Sequence, residues 1–269
     1  MTNKRIKRDS HVIRYGIWTS PKKHMVAESL EYNNSLIDYK KYDAGFFKDM
    51  AAESHIRDLE LILSVVDQLL HPKTILDVGC GAGAALLYFG KKGCFIQGID
   101  GEYIDYSCLL IDRRDFTPFN LEHSFIENKS ILKLQKYDLA LALEVAEHLT
   151  PARGESFVSD LTAVSDCVLF SAALPGHGGT NHVNERPVKY WMDLFAAHDF
   201  TPVSCIRPLF RNCNTYNDLK KLGMESRSYA NNTVLYVRNA KLSDFNINLE
   251  NYQDDWEQLK CYNFIPDDR

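Results

Sequence analysis

The chain has 269 residues, 45% of them hydrophobic and 25% charged, with a formal net charge of −5. This balance is ordinary for a globular protein and excludes a disordered or collagen-like chain. The acidic excess argues against broad phosphate-driven binding to nucleic acid, and no apolar run approaches the length that spans a bilayer.

Residues 1–43 are polar with interspersed aromatics (Tyr15, Trp18, Tyr32, Tyr39, Tyr42) and no clean period. They are expected to form an N-terminal helical and aromatic extension that folds in part over the body as a lid. The basic run Lys4-Arg5-Ile6-Lys7-Arg8 reads as a solvated terminus rather than a nucleic-acid arm. From Ala44 to Leu70 the pattern is helical, with Leu59, Ile62, Leu63, Val66 and Leu70 sharing a face. His71-Pro72 ends it, because proline disfavours helix in the residue before it. Strands are then expected at 74–78, 95–100, 122–126, 137–143, 167–172, 201–206 and 232–238, separated by helical or loop stretches. Such alternation predicts an α/β fold, a doubly wound, mostly parallel seven-stranded sheet covered on both faces. One domain over 44–238 and a C-terminal extension at 239–269, packed back through Tyr252, Trp256, Tyr262 and Phe264, complete the organisation. The seven cysteines include no C-x-x-C pair, and no signal peptide precedes them, so reduced thiols in the cytoplasm are expected.

The most informative run is Thr74-Ile75-Leu76-Asp77-Val78-Gly79-Cys80-Gly81-Ala82-Gly83, leading into Ala84-Ala85-Leu86-Leu87-Tyr88-Phe89. A buried strand breaks into alternating glycines and then a helix, the geometry that brings backbone N–H groups against a nucleotide-like ligand. Gly79-x-Gly81-x-x-Ala84, with Asp100 placed 21 residues after Gly79, formally fits the relaxed dinucleotide fingerprint. Asp77, ahead of the glycines, shifts the balance: a carboxylate there repels a pyrophosphate and attracts a cation. Cys80 reads as a small buried filler.

A second constellation follows the strand ending at Leu143. Glu144, Glu147 and His148, at i, i+3 and i+4, would share a face if the segment begins a helical turn. It borders the same crevice, where two carboxylates and an imidazole serve general acid–base chemistry, hold a divalent cation, or only brace the loop. The loop Ala173–Glu185 is glycine-rich and brings His177 and His182 to the same sheet edge. The set suits Mg²⁺ or Mn²⁺ better than structural zinc, since no thiol has suitable spacing.

The stretch 74–83 with Asp100 resembles motif I and the ribose-binding acid of class I S-adenosylmethionine-dependent methyltransferases, a Rossmann-like fold. The resemblance covers about residues 45–210. It implies S-adenosylmethionine as cofactor and S-adenosylhomocysteine as product. Asp77, Gly79, Gly81, Gly83, Asp100 and Glu144 would form the cofactor seat, with Asn128 or Glu127 as polar adenine contacts after the third strand. Leu143-Glu144-Val145-Ala146-Glu147-His148-Leu149 is similar to the fourth motif of ubiquinone-biosynthesis O-methyltransferases. The pattern Glu-x-x-Glu-His with a later histidine is similar to that of the metal-dependent 2′-O-methyltransferases of small-RNA 3′ ends. That likeness implies Glu144, Glu147, His148 and, less closely matched, His182 as metal ligands.

The expected activity is O-methylation of a small-molecule hydroxyl, with His148 and Glu147, or a bound metal, managing the acceptor's proton. The alternatives are a metal-dependent RNA 2′-O-methyltransferase, a non-catalytic S-adenosylmethionine-binding module and a nicotinamide-dependent oxidoreductase. The acceptor pocket is expected from residues 1–45, 173–186 and 207–231. No membrane partner is expected, and the sequence does not specify oligomeric state.

Overall fold

The computed structural model describes residues 38, 41–210, 213, 216–224, 227–245 and 247, which fall in one compact unit spanning 35–269. The expectations placed on Tyr15, Trp18, Tyr32, Tyr39, residues 252–264 and most of the lid lie outside the described residues.

Two helices, α1 (Ala44–Met50) and α2 (Glu53–Leu70), replace the single expected helix. Asp43 caps α1 by accepting from the Phe46 N–H, and Ala51 closes it with bonds to Phe47 and Asp49. α2 stops where the sequence indicates: His71 turns left-handed at φ 46°, and Pro72 follows. β1 (Thr74–Val78) leads through the glycine turn to α3 (Ala84–Lys91) and β2 (Phe95–Asp100). Then come β3 (Phe116–Pro118), β4 (Leu139–Leu143), α4 (Pro151–Val164), β5 (Cys167–Ser171), α5 (Val188–Ala196) and β6 (Phe200–Val203). Two short helices, α6 (Tyr216–Lys221) and α7 (Arg227–Asn232), precede β7 (Val234–Arg238).

The strands form one sheet in the order β3-β2-β1-β4-β5-β7-β6, with β7 antiparallel to both neighbours and the remaining pairs parallel. Alternate residues feed opposite cores. Leu139 and Leu141 of β4 pack with α2 and α3, whereas Ala140 and Ala142 pack with α4 and α5. Burial on both faces explains the near-continuous apolar runs of the central strands. The order reverses between β1 and β4, so a crevice opens beyond the carboxyl ends of those strands.

One strand is not where its sequence pattern placed it. The third strand is Phe116–Pro118, not 122–126, which is a run of turns. β3 is a three-residue edge strand ending in proline, a device that blunts an open sheet edge and leaves almost no alternation to read. Beyond β7, Leu242, Phe245 and Ile247 pack against the core. Among the described residues, no helix is long and apolar enough to cross a membrane.

Candidate active site

The glycine turn is built by backbone geometry. Gly79 and Gly81 hold φ of 83° and 52°, and a Cβ would collide with Val145 at the first and Met50 at the second. Asp100, at the end of β2, ties this turn down. Its Oδ2 accepts from the Gly81 N–H (2.8 Å), and its Oδ1 accepts from the Gly101 N–H (2.6 Å) and the Tyr103 hydroxyl (3.0 Å). Burial raises its pKa, and these three donors pull the other way without fully offsetting it.

Asp77 is buried, and its pKa is raised to about 8, first by burial and then by the charge of Asp100. It borders not the main cavity but a hollow of about 20 Å³ shared with Met50, His55 and Tyr229. The space in front of it is narrow, because the Met50 side chain lies over Gly81. Admitting an ammonium group there requires that methionine to move.

The main cavity, about 390 Å³, lies beyond the carboxyl ends of β1, β2 and β4. The three segments expected to form the acceptor pocket all reach it, through Tyr42, through Gly178, Thr180 and His182, and through Tyr229. Asn128 does not line it. That residue is exposed, and its Oδ1 accepts from the Ser130 hydroxyl (2.7 Å). Because β3 ends at Pro118, the polar residues on this wall are Asn120 and Glu122. The wall is an irregular loop gripped by α4 and its first turn. The buried Arg153 donates through Nε to the Leu121 carbonyl and through Nη2 to the His123 carbonyl, and it pairs with Asp160 at 2.5 Å. Asp160 accepts from Ser124 and the Phe125 N–H, while Glu122 accepts from the Thr150 N–H and hydroxyl. These partners satisfy a loop that would otherwise bury unpaired backbone groups.

On the β4 side, the expected helical face does not form. Glu144 adopts φ 56°, a left-handed value unusual for a residue with a Cβ, and Ala146–His148 make one 3₁₀ turn. Glu144 accepts from Asn232 Nδ2 (2.9 Å) and stands outside the cluster that does assemble. In that cluster, one ligand atom each from Glu147, His148 and His182 lie within 4.8 Å of one another. Glu147 is fully buried; neither Oε makes a well-formed hydrogen bond, although the backbone N–H groups of Glu147 and Ala173 lie close enough to favour its charge slightly. Burial, then the charge of Glu144, pushes its pKa well above the carboxylate range. His148 Nδ1 is 3.0 Å from the Tyr42 hydroxyl. Its pKa falls to about 4, through burial first and the neighbouring His182 second, so the ring is neutral at pH 7.

The His182 ring stands edge-on to His148 at 4.9 Å, and its Nδ1 lies 2.9 Å from Glu185 Oε1. Glu185 also accepts from the N–H groups of Gly176 and Gly178, at 2.8 Å each. Although burial opposes its charge, these bonds outweigh that effect and its pKa is lowered. Glu185 was legible only as the end of a glycine-rich loop; a carboxylate three residues after a histidine was the signal for its role. Tyr42 and Tyr229 gave no local signal.

The trio fits a divalent cation. Glu147 in its ionised form is costly at this depth, so it either keeps a proton or is compensated by a positive charge. A donor set of one carboxylate and two imidazoles suits a first-row transition ion such as Mn²⁺ better than Mg²⁺, which prefers oxygen ligands.

No family model matches the chain. Over 89 residues it is 30% identical to a ubiquinone biosynthesis O-methyltransferase of Actinobacillus pleuropneumoniae serotype 7 (strain AP76); the match spans 30% of this chain and 36% of that protein. The chain thus covers about a third of that curated relative. Among solved structures, it resembles the magnesium protoporphyrin IX methyltransferase of Synechocystis PCC 6803 with bound S-adenosylmethionine. The TM-score is 0.50 at 16% identity, over 77% of this chain and all of that one. Human N-acetylserotonin methyltransferase in complex with S-adenosylmethionine matches at TM-score 0.46 and 13% identity, over 75% of this chain and 62% of that one. The fold of this chain is that of the class I S-adenosylmethionine-dependent methyltransferases, as its glycine turn and Asp100 implied.

Proposed function

We propose that the chain is an S-adenosylmethionine-dependent methyltransferase acting on a small-molecule hydroxyl. The observation that carries this reading is a neutral, half-buried His148 in the same cavity as Asp100 and the glycine turn. A group that manages a proton and a cradle for a nucleoside share one crevice at the strand-order reversal.

Bound S-adenosylmethionine would supply a methyl group on a sulfonium. Asp77, Gly79 and Gly81 would hold its amino-acid part and Asp100 its ribose, with Asn120 and Glu122 on the third wall; Gly83 lines neither hollow and faces Ile111. Asp77 offers a carboxylate to an ammonium. Asp100 keeps the turn shaped, and its bonds to Gly81, Gly101 and Tyr103 leave acceptor capacity for a hydroxyl. His148 would take the acceptor's proton. The ring is placed by the Tyr42 hydroxyl at Nδ1 (3.0 Å) and by the backbone of Thr180 and Asn181, and the nitrogen that carries no proton is the one that would act as base. Tyr42 orients the ring, and Phe46 and Phe47 give the cavity an apolar lining beside it.

A second reading has specific support: Glu147, His148 and His182 would hold a divalent cation, whose contribution is to lower the acceptor hydroxyl's pKa. In that variant Glu147 supplies the neutralising charge, and Glu185 holds His182 with its Nε2 available. The RNA substrate and the non-catalytic module remain the competing proposals. The cysteines of the described residues are all free thiols, which supports placing the protein in a reducing compartment such as the cytoplasm.

The test is calorimetric titration with S-adenosylmethionine, followed by transfer of labelled methyl to a panel of hydroxyl, amine and RNA 3′-end acceptors, with and without Mn²⁺. Saturable binding with transfer to a small hydroxyl compound is expected. No binding ends the enzyme reading, binding without transfer supports a non-catalytic module, and transfer confined to RNA supports the metal-dependent RNA enzyme.

A further inference from the structure

One short segment runs along the cavity from the loop that carries His182 to the glycine turn. At its start the Asp38 N–H donates to Asn181 Oδ1 (3.2 Å), and Asn181 Nδ2 donates to the Asp38 carbonyl (3.0 Å). A turn in which the Lys41 N–H donates to the same carbonyl (3.1 Å) leads into Tyr42. The buried Tyr42 meets His148 through its hydroxyl and stacks on Tyr103, which donates to Asp100. Phe46 and Phe47 of α1 line the cavity, and Met50, at the end of α1, lies over Gly81.

This segment joins the body at a break. α1 closes at Ala51, and α2 starts from Ala52, which is extended at φ −66° and ψ 148° and makes no side-chain cap bond. Two small residues between two helices can absorb a backbone change, as hinges do. Met50 borders both the main cavity and the hollow in front of Asp77. A ligand reaching from Asp100 past Gly81 to Asp77 therefore displaces that side chain and lies beneath Tyr42, Phe46 and Phe47. Resting on the methyltransferase reading above, we propose that residues 41–50, tied at Asp38 and hinged at Ala51-Ala52, are a latch that opens to admit the cofactor and again to release S-adenosylhomocysteine. Asn181 fastens its far end, and Met50 is the part the cofactor's amino-acid end pushes aside.

The experiment follows cofactor exchange on the full chain. Tritiated S-adenosylmethionine is bound and then chased with unlabelled S-adenosylhomocysteine, and retained label gives the association and dissociation rates. Asn181→Gly removes the tie, and glycine accepts the φ of 59° held at that position. Losing two exposed hydrogen bonds is expected to raise both rates together by at least about three-fold, with the dissociation constant within about two-fold. Met50→Ala is expected to raise the association rate alone, since a bound ligand has already displaced that side chain. Unchanged rates in Asn181→Gly overturn the proposal, as does faster dissociation alone, which marks a simple loss of affinity. Amide hydrogen exchange of residues 41–50 in the ligand-free chain is a second readout. Faster exchange in Asn181→Gly than in the wild type is expected, and equal exchange overturns the latch. If the wild type binds no S-adenosylmethionine, the methyltransferase reading fails, and the exchange comparison still decides whether residues 41–50 open.

Discussion

Two acids close the crevice from opposite sides, and their surroundings differ. Asp100, at the end of β2, accepts from two backbone N–H groups and a tyrosine hydroxyl. Glu147, just past β4, is as deeply buried and has only the backbone N–H groups of Glu147 and Ala173 nearby, too far off or poorly aligned for full hydrogen bonds, so burial dominates. The first carboxylate is part of the scaffold, because it shapes the glycine turn whether or not a ligand is present. The second is a cost the fold carries without a ligand, and such uncompensated groups gather where a protein binds or reacts. One side of the cavity is complete in itself, and the other is complete only when something positive arrives.

Kinetics provide the strongest way to break this contrast. His148→Ala is expected to lower the transfer rate by ~10²–10⁴-fold while cofactor affinity stays within about two-fold. Asp100→Ala should instead weaken cofactor binding, and a variant of either residue that lost both properties equally would erase the distinction between the two walls. Thermal denaturation offers a smaller effect of opposite signs. Asp100→Ala orphans two buried N–H groups, at about 1–3 kcal/mol each, and should lower the Tm. Glu147→Met removes a buried unpaired acid and should raise the Tm of the ligand-free protein by about 2–4 °C while reducing activity. A Tm that falls in both variants would show that Glu147 is already compensated.

The smallest effect is in pH dependence. Asp77 has a folded pKa of about 8, above its unfolded value, so its contribution to stability is complete below pH ~4 and is lost as pH rises through 8. Glu147 shifts in the same direction. His148, lowered to about 4, acts in the opposite sense: its contribution is present above pH ~6.5 and lost as pH falls through 4. Between pH 6.5 and 8.5 the carboxylates act without the histidine. There the free protein should lose stability as pH rises, and S-adenosylmethionine, whose ammonium favours the ionised Asp77, should flatten the slope. A Tm independent of pH in that window would remove the case for an uncompensated acid.

The scaffold side was legible because its signals are local. An apolar strand, left-handed glycines and an acid at the next strand's end all lie in one βαβ unit, and each is where its residue type dictates. The sequence reading misplaced the third strand because three residues ending in proline carry no period, and Asn128 was misassigned with it, where Asn120 lines the cavity. On the β4 side the residue types were legible and their geometry was not. An i, i+3, i+4 spacing suggested a helical face, but Glu144 turns left-handed and leaves the group, and His182 completes it from a loop. Tyr42 and Tyr229 reach the cavity through packing between segments distant in sequence, which no local pattern encodes.

Glu185 holds two things at once: the N–H groups of Gly176 and Gly178, and the Nδ1 edge of His182. Movement of the strap that borders the entrance is therefore linked to the heading of an imidazole inside. One carboxylate thus fixes both the loop's backbone and the ring's orientation, so replacing it would loosen the two together.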